Sequence, residues 1–325
     1  MLTRRRLALT AAGLLAAPAI ITTARAQAPA FPAAGKRAWA AQVPAIRIGL
    51  LGGENEADRI GRYDAYRKLF EDTFQVPART FAAADYAGVL QAFSAKQIEF
   101  SGMGSSAYAG AWLDTNGNVE PLVVAREADG SISYIAVMVT RSDSGITSLA
   151  QMKGKSLAWA DPNSTSGYLI PRFEIKQGGI DIEPGKYFSR TGFGGGHEQA
   201  VVAVLQKQYD ASVTWASGLG EESQGFTRGN LRAMTDKGLL KPGDLRIIWK
   251  SRPILNGPLT VRKDTPQAFR DDIRDFHLAL PTTYPKIYEQ VERGGGQGYQ
   301  TVKHDDFQLF IDLRKEEAAA RRARG

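Results

Sequence analysis

The 325-residue chain contains no cysteine, so no disulfide framework can exist. Histidine is also scarce, because the chain has only His197, His277 and His304, which are scattered along it. No HExxH pattern occurs, and the sequence therefore predicts neither a catalytic metal site nor a cofactor. A chain of this length can still bury enough apolar side chains to fold without cross-links.

The motifs of nucleotide-binding proteins and of hydrolases are missing as well. No GxxxxGK[ST] sequence is present, and no GxGxxG follows a strand-like segment and opens a helix. The stretch GSSAY at 104–108 resembles a nucleophile elbow, but Tyr108 stands where that motif requires glycine. Since no nucleophile–base pair can be named, the sequence argues against an enzyme.

The formal net charge of +7 is concentrated at the two ends of the chain. Residues 1–26 contain four arginines and no acidic residue, and residues 314–325 contain five basic and two acidic residues. These two segments account for the whole excess, so the body between them is nearly neutral. Nucleic-acid binding needs a basic patch on the folded body, and the charge distribution argues against it.

The first 26 residues predict an export signal. The order TRRRL at 3–7 resembles a twin-arginine signature and leads into an apolar stretch, and ARA at 24–26 suits cleavage near Ala26. A permanent membrane helix would need about 20 apolar residues, and no segment of this chain is long enough. We therefore expect a periplasmic mature protein that starts near Gln27, with a loose Ala/Pro-rich leader over 27–42.

After this leader, apolar strand-like runs alternate with helical patterns. AIRIGLL at 45–51 and IEFSGMG at 98–104 are typical of strands that end in a glycine turn. Strand–helix alternation with short turns is typical of a parallel α/β sheet. The same pattern restarts after Thr140 and predicts a second unit.

The restart divides the chain into two expected units joined by crossover strands. One lobe is formed by 43–143 together with 256–325, and the other by 144–255. The segments AVMVTRSDS at 136–144 and NGPLTVRKD at 256–264 are the predicted crossings.

Three loops share one feature: each connects a strand that ends in a glycine turn to a helix that begins directly after it. They are SGMGSSAY at 101–108, ADPNSTSG at 160–167 and FGGGHEQ at 193–199. Ligands of open α/β sheets bind outside the carboxyl ends of strands, where such loops come together. The sequence therefore predicts a shared cleft.

Ser164, Thr165 and Ser166 stand directly before an apolar, helix-like run. Hydroxyl residues are favoured as helix N-caps, and an ordinary cap is one interpretation. A helix N-terminus also presents unpaired N–H groups and the positive end of a dipole, which together can hold a small anion. Pro171 means either that the helix is kinked or that it begins near this residue, and both leave the amides of 165–167 without helical partners.

Four stretches together resemble the phosphonate-binding, periplasmic solute-binding proteins of ABC transporters. They are DYAGVLQAFSAKQIEFSGMGSSAYAGA at 85–111, the segment 133–171, FGGGHEQAVVAVLQKQYDA at 193–211 and IIWKSRPILNGPL at 247–259. The resemblance spans about residues 45–310. It implies an α/β, two-lobed periplasmic binding protein (type II-like), with parallel-sheet lobes and hinge closure, which works as a monomer with a membrane permease.

The resemblance also implies roles for individual residues. Ser164, Thr165 and Ser166 would hold the phosphonate group, and Tyr108, with Ser105 and Ser106 beside it, would add a contact from the first lobe. Glu198, next to His197, would take the ammonium of an aminoalkyl ligand, although the helix dipole alone also favours an acid at this position. Tyr63 would face the cleft from the first helix.

Family members often carry another acid after the strand that ends here at Trp215. This chain reads WASGLGEE, in which Glu221 and Glu222 come later. Phosphite, methylphosphonate and other small phosphorus oxyanions therefore stay open as ligands. Two other functions also stay open: a binding protein for another small anion such as a sulfonate, and an exported enzyme that acts on phosphorus esters.

Overall fold

The structure is a computed structural model, and it describes residues 30–183 and 185–322. The export signal and the first residues of the leader lie outside these ranges. Across the described residues, no helix has the length and apolar character needed to cross a membrane.

The secondary structure alternates strands and helices, as the sequence predicts. The strands are β1 (Ile46–Leu50), β2 (Ala78–Ala82), β3 (Phe100–Gly102), β4 (Val119–Ala125), β5 (Ser133–Arg141), β6 (Ser156–Trp159), β7 (Arg190–Phe193), β8 (Ala211–Ala216), β9 (Leu245–Lys250), β10 (Ile254–Leu255), β11 (Pro258–Arg262) and β12 (Tyr299–Thr301). The helices are α1 (Glu56–Phe74), α2 (Tyr86–Ser94), α3 (Ser105–Asp114), α4 (Ile170–Gln177), α5 (His197–Leu205), α6 (Asn230–Asp236), α7 (Gln267–Thr283), α8 (Pro285–Val291) and α9 (Gln308–Arg322).

These strands form two sheets. The first has the order β12–β4–β11–β3–β1–β2, with β1 parallel to both neighbours and β11 and β12 antiparallel to theirs. In the second sheet the order is β10–β5–β8–β6–β7, β9 pairs with β5, and the β6 pairs are parallel. The two-sheet α/β architecture is therefore confirmed, although both sheets are mixed.

The strand pairing places the first crossing between the two sheets earlier in the chain than the sequence predicts. β5 pairs with β8 and β9 on either side, so the chain crosses at 126–132, before the segment 136–144 that the sequence predicts. The apolar run at 136–139 is fully buried because it is a central strand of the second sheet. The second crossing falls at 256–257, at the start of the predicted segment. The division into two moving lobes stays a prediction.

Caps set several helix starts. The Asp85 carboxylate accepts from the Gly88 N–H at 2.9 Å at the start of α2, and Asn55 Oδ1 accepts from the Asp58 N–H at 3.1 Å in α1. At Pro171 the structure selects the later helix start, because α4 begins at Ile170. A single π-helical turn, Thr165–Leu169, precedes it.

A buried histidine lies in the aromatic core of the first sheet, between α1 and α7. His277 Nδ1 lies 2.6 Å from the Ile273 carbonyl oxygen, so it donates, and Nε2 accepts from the Tyr66 hydroxyl at 2.5 Å. Burial lowers the pKa of His277 to about 4, although the hydrogen bond to Ile273 opposes this shift.

The depressed pKa of His277 predicts a pH dependence of stability. A folded pKa below the unfolded value of about 6.5 contributes stability that is present above pH 6.5 and is lost as the pH falls toward 4. We expect a loss on the order of 3 kcal/mol in the free energy of unfolding over this range. Urea unfolding at a series of pH values should show it, and His277→Gln should flatten the slope. His304→Gln, at a half-buried position, is the control. If His277→Gln shows the same pH slope as the wild type, this assignment is contradicted.

Candidate functional site

A cavity of about 210 Å³ lies between the loops that follow the strands of the two sheets. The second sheet contributes Ser164, Thr165, Ser166 and His197, and the first contributes Met103, Gly104 and Glu292 through β3 and the end of α8. The predicted cleft at the carboxyl ends of the strands is thus present between the two sheets.

The Ser-Thr-Ser segment forms one wall of this cavity. Ser164 is extended, and its Oγ accepts from the Gly167 N–H at 3.0 Å, so this residue is a true N-cap. A Cβ at Gly167 would collide with Ala160, so only glycine permits the turn to pack so closely on β6. Thr165 and Ser166 occupy the first positions of the turn, where backbone N–H groups lack a carbonyl within the helix. The cap and the anion site are therefore compatible.

His197, the first residue of α5, supports this turn from behind. Its Nε2 lies 3.1 Å from Ser164 Oγ, and its Nδ1 lies 3.2 Å from Thr214 Oγ1. Burial lowers the pKa of His197 to about 3, and the positive charge of Arg293 adds to the shift. The imidazole is therefore neutral at physiological pH and acts as a hydrogen-bonding group.

The start of α3 meets the turn from the other sheet. The Ser106 N–H donates to Thr165 Oγ1 at 2.9 Å, and a Cβ at Gly104 would lie 2.8 Å from the same oxygen. Ser105 Oγ donates to the Leu255 carbonyl, whereas the buried Ser106 Oγ has no partner among the described residues. Two helix N-termini thus converge on the cavity, which favours a bound anion.

Sequence reasoning missed two tyrosines in the cavity wall. Burial raises the pKa of Tyr86, the Asp161 carboxylate adds to this, and the Ser164 hydroxyl opposes it. Burial likewise raises the pKa of Tyr134, opposed by the hydroxyls of Ser166 and Thr165. Both phenols stay protonated and can donate. Tyr86 directly follows the capping residue Asp85, and this position next to a helix start could have marked it as a cavity residue. Tyr134 stands in an apolar strand, where its sequence context is that of a core residue.

Five residues singled out from the sequence do not line this cavity, namely Ser105, Ser106, Tyr108, Glu198 and Tyr63. Tyr108 is fully buried, and its hydroxyl lies 2.8 Å from His304 Nδ1, because its position on α3 directs it toward α9. Glu198 binds Lys237 Nζ at 2.9 Å, and Lys237 also binds Asp58 of α1 at 2.8 Å. Tyr63 does face this region, but it borders two adjoining cavities.

An ion cluster that the sequence did not reveal also borders the cavity. Arg228 Nε donates to Glu127 Oε2 at 3.2 Å, and its Nη1 donates to Glu292 Oε2 at 3.2 Å. Asn256 Nδ2 donates to Glu127, and the Tyr299 hydroxyl donates to Glu292. Arg228 belongs to the second sheet's loops, Glu292 follows α8 of the first half, and Glu127 lies in the crossing 126–132, so the cluster joins the two halves.

The contacts of Glu198 lead to a prediction about its variant. Glu198→Gln removes an ion pair at the edge of the cleft, where such pairs contribute about 0.2–1 kcal/mol. We expect calorimetry to show a small and equal change, about fivefold or less, for methylphosphonate and 2-aminoethylphosphonate. A loss confined to the amine-bearing ligand would place Glu198 in direct contact with an ammonium group.

The sequence model of one protein family, described as "ABC transporter, phosphonate, periplasmic substrate-binding protein", matches residues 48–307. The chain belongs to this family. A phosphonates-binding periplasmic protein of Escherichia coli (strain K12) is 29% identical over 259 residues, which cover 78% of this chain and 71% of that protein. A phosphate-import protein of Mycolicibacterium smegmatis is 28% identical over 213 residues, which cover 63% of this chain and 62% of that protein.

Solved structures show the same fold. A binding-protein component of a phosphonate ABC transporter from Pseudomonas aeruginosa superposes with a TM-score of 0.71 at 24% identity, over 83% of this chain and 85% of that one. A Prochlorococcus marinus protein in complex with methylphosphonate gives 0.70 at 15% identity, over 85% of this chain and 98% of that one. The expected two-lobed periplasmic binding protein fold is thereby confirmed. This protein is a substrate-binding component of an ABC transporter and not an enzyme.

Proposed function

We propose that this protein captures a small phosphonate in the cavity described above and delivers it to a membrane permease. The observation that carries the proposal is the Ser164–Ser166 turn, which opens directly into a chamber of about 210 Å³. Hydroxyl and N–H donors surround the place where an anion would sit, and relatives are named for phosphonate binding and phosphate import.

The hydrogen-bonding groups suit a phosphorus oxyanion. Each charge-assisted hydrogen bond contributes roughly 1.5–3 kcal/mol net, so the turn, the neutral His197 and the two phenols can hold the anion without a direct cation. Two arginines beside the β1–α1 loop add positive potential, because Arg62 of α1 and Arg293 after α8 share the carboxylate of Glu54. Long-range attraction and short-range donors therefore act together.

The same contacts argue against an amine-bearing ligand. The carboxylate of Glu198 is held by Lys237, and those of Glu127 and Glu292 are held by Arg228, Asn256 and Tyr299. An ammonium group would have to displace one of these donors. We propose that the substituent on phosphorus is uncharged.

Hinge closure, export and oligomeric state belong to the same proposal. The cluster around Arg228 and the contact of Ser106 with Thr165 join the two halves and support closure around a ligand. We propose lobe borders at the observed crossings 126–132 and 256–257. Twin-arginine export, cleavage near Ala26 and action as a monomer complete the proposal.

Calorimetry with a panel of anions tests this function. We expect methylphosphonate to bind most tightly among methylphosphonate, 2-aminoethylphosphonate, methanesulfonate and sulfate. Methanesulfonate has a similar shape but no second charge, so it should bind at least about tenfold more weakly. Tighter binding of methanesulfonate would show that the ligand is a sulfonate and not a phosphonate. Turnover of any ligand would overturn the transport function.

A further inference from the structure

A second cavity, of about 220 Å³, adjoins the anion cavity on the side of the first sheet. The two cavities share the wall residues Met103, Ala125, Gly257 and Glu292. Beyond this border the wall changes character. It is built largely from aromatic and aliphatic side chains, among them Tyr63, Tyr66, Phe100, Val123, Leu259 and Tyr299.

Gly102, at the end of β3, lines this second cavity and the neighbouring one beside the β1–α1 loop. Its backbone φ is not positive, and a Cβ added there would meet no atom within 4 Å. Gly104, two residues further on, lies against Thr165 Oγ1. Two extended residues span at most about 7 Å, so Gly102 lies within roughly 7 Å of Gly104 at the anion site. A substituent on a bound phosphonate can span that distance.

Two of the phenols in the wall are already engaged. The Tyr66 hydroxyl donates to His277, and the Tyr299 hydroxyl donates to Glu292 at 2.7 Å. The rings of Tyr66 and Tyr299 therefore present carbon surface to the cavity, beside the polar atoms that its wall also contains. An apolar cavity of about 150 Å³ is large enough to bind benzene, so 220 Å³ has room for a ring and a linking carbon.

We propose that this second cavity is a subsite for an apolar, ring-sized substituent on the phosphorus atom. The proposal rests on the proposed function and extends it, because the substrate class becomes aryl- and arylalkylphosphonates as well as the smallest phosphonates. The phosphonate group binds at Ser164–Ser166, and the substituent passes Met103 and Glu292 and packs between Tyr63 and Phe100.

Calorimetry on the purified protein with benzylphosphonate and methylphosphonate tests the subsite. The wild type should bind benzylphosphonate about tenfold or more tightly than methylphosphonate, because a buried ring removes on the order of 100 Å² of apolar surface from water. Gly102→Val fills the cavity without backbone strain. It should weaken benzylphosphonate at least tenfold and change methylphosphonate by less than about twofold.

Gly61→Val serves as the matched control, because Gly61 is exposed on α1 and a Cβ there meets no atom. This variant should bind both ligands like the wild type. Equal losses of both ligands in Gly102→Val would overturn the subsite. If that variant does not fold, a crystal structure of the wild type with benzylphosphonate decides, and a ring that lies away from Tyr63 and Phe100 overturns the subsite.

The outcomes also separate the two proposals. Binding of methylphosphonate without benzylphosphonate overturns the subsite and leaves the proposed function standing. Failure of both ligands to bind the wild type overturns the proposed function, and the subsite with it.

Discussion

Replacing Ser164 and Thr165 together by alanine is expected to nearly abolish methylphosphonate binding. A buried phosphonate oxygen that loses a donor typically costs about 1–3 kcal/mol, so two lost hydroxyls predict a loss of roughly 30-fold to 10⁴-fold in affinity. Thr165 Oγ1 also accepts from Ser106, so its removal weakens the contact between the two halves as well. Calorimetry with methylphosphonate measures the effect.

A loss of cap stability alone has a different signature. The apo double variant should melt somewhat lower than the wild type, because Ser164 is an N-cap whose loss costs about 0.5–2 kcal/mol. Loss of a cap does not by itself weaken the binding of an anion. Asn55→Ala is the matched control, since it removes the N-cap of α1 and should lower stability modestly without changing affinity. Wild-type affinity in the double variant would reduce the Ser-Thr-Ser turn to an ordinary helix cap.

The second large effect is expected from Arg228→Met. Glu127 has a side chain that is only 2% exposed, and without Arg228 its carboxylate keeps a single side-chain donor, Asn256. Removal of one partner from a buried ion pair typically costs about 3–5 kcal/mol. Because Arg228 also bonds Glu292 of the first half, we expect this cost to fall largely on the closed conformation and to weaken methylphosphonate binding by about a hundredfold or more.

Calorimetry and solution scattering distinguish this effect from simple destabilisation. At saturating methylphosphonate the wild type should show a smaller radius of gyration than the apo protein, whereas Arg228→Met should need far more ligand to compact. Arg232→Met removes an exposed pair with Asp236 and should bind normally. An unchanged affinity together with a lower Tm would assign the Arg228 cluster to the fold instead of to closure.

Local patterns explain which parts of the fold could be predicted. The strand that ends at Gly102 and the capped turn after Ser164 depend on neighbouring residues, and both are present. The first crossing was misplaced because a buried central strand and a crossing strand have the same apolar composition. Only the pairing of β5 with β8 and β9 distinguishes them.

The cavity wall shows the corresponding limit for function. The sequence pointed to the correct loops and to the Ser164–Ser166 turn, but not to every side chain that faces inward, because successive residues of a helix point about 100° apart. Tyr108 turns toward His304, whereas Tyr86 and Tyr134 reach the Ser-Thr-Ser turn. A sequence motif therefore locates a loop, whereas the packing of the neighbouring helix decides which of its side chains face the cavity.

The sequence by itself determined the α/β alternation, the family and the Ser164–Ser166 turn, because periodicity, caps and short motifs act within a few residues. Only the tertiary structure decided the partners of Arg228, which stand 101 and 64 residues away in Glu127 and Glu292. It also decided that Gly102 faces an empty cavity. Contacts and voids of this kind depend on how two sheets pack together, and no local pattern encodes that packing.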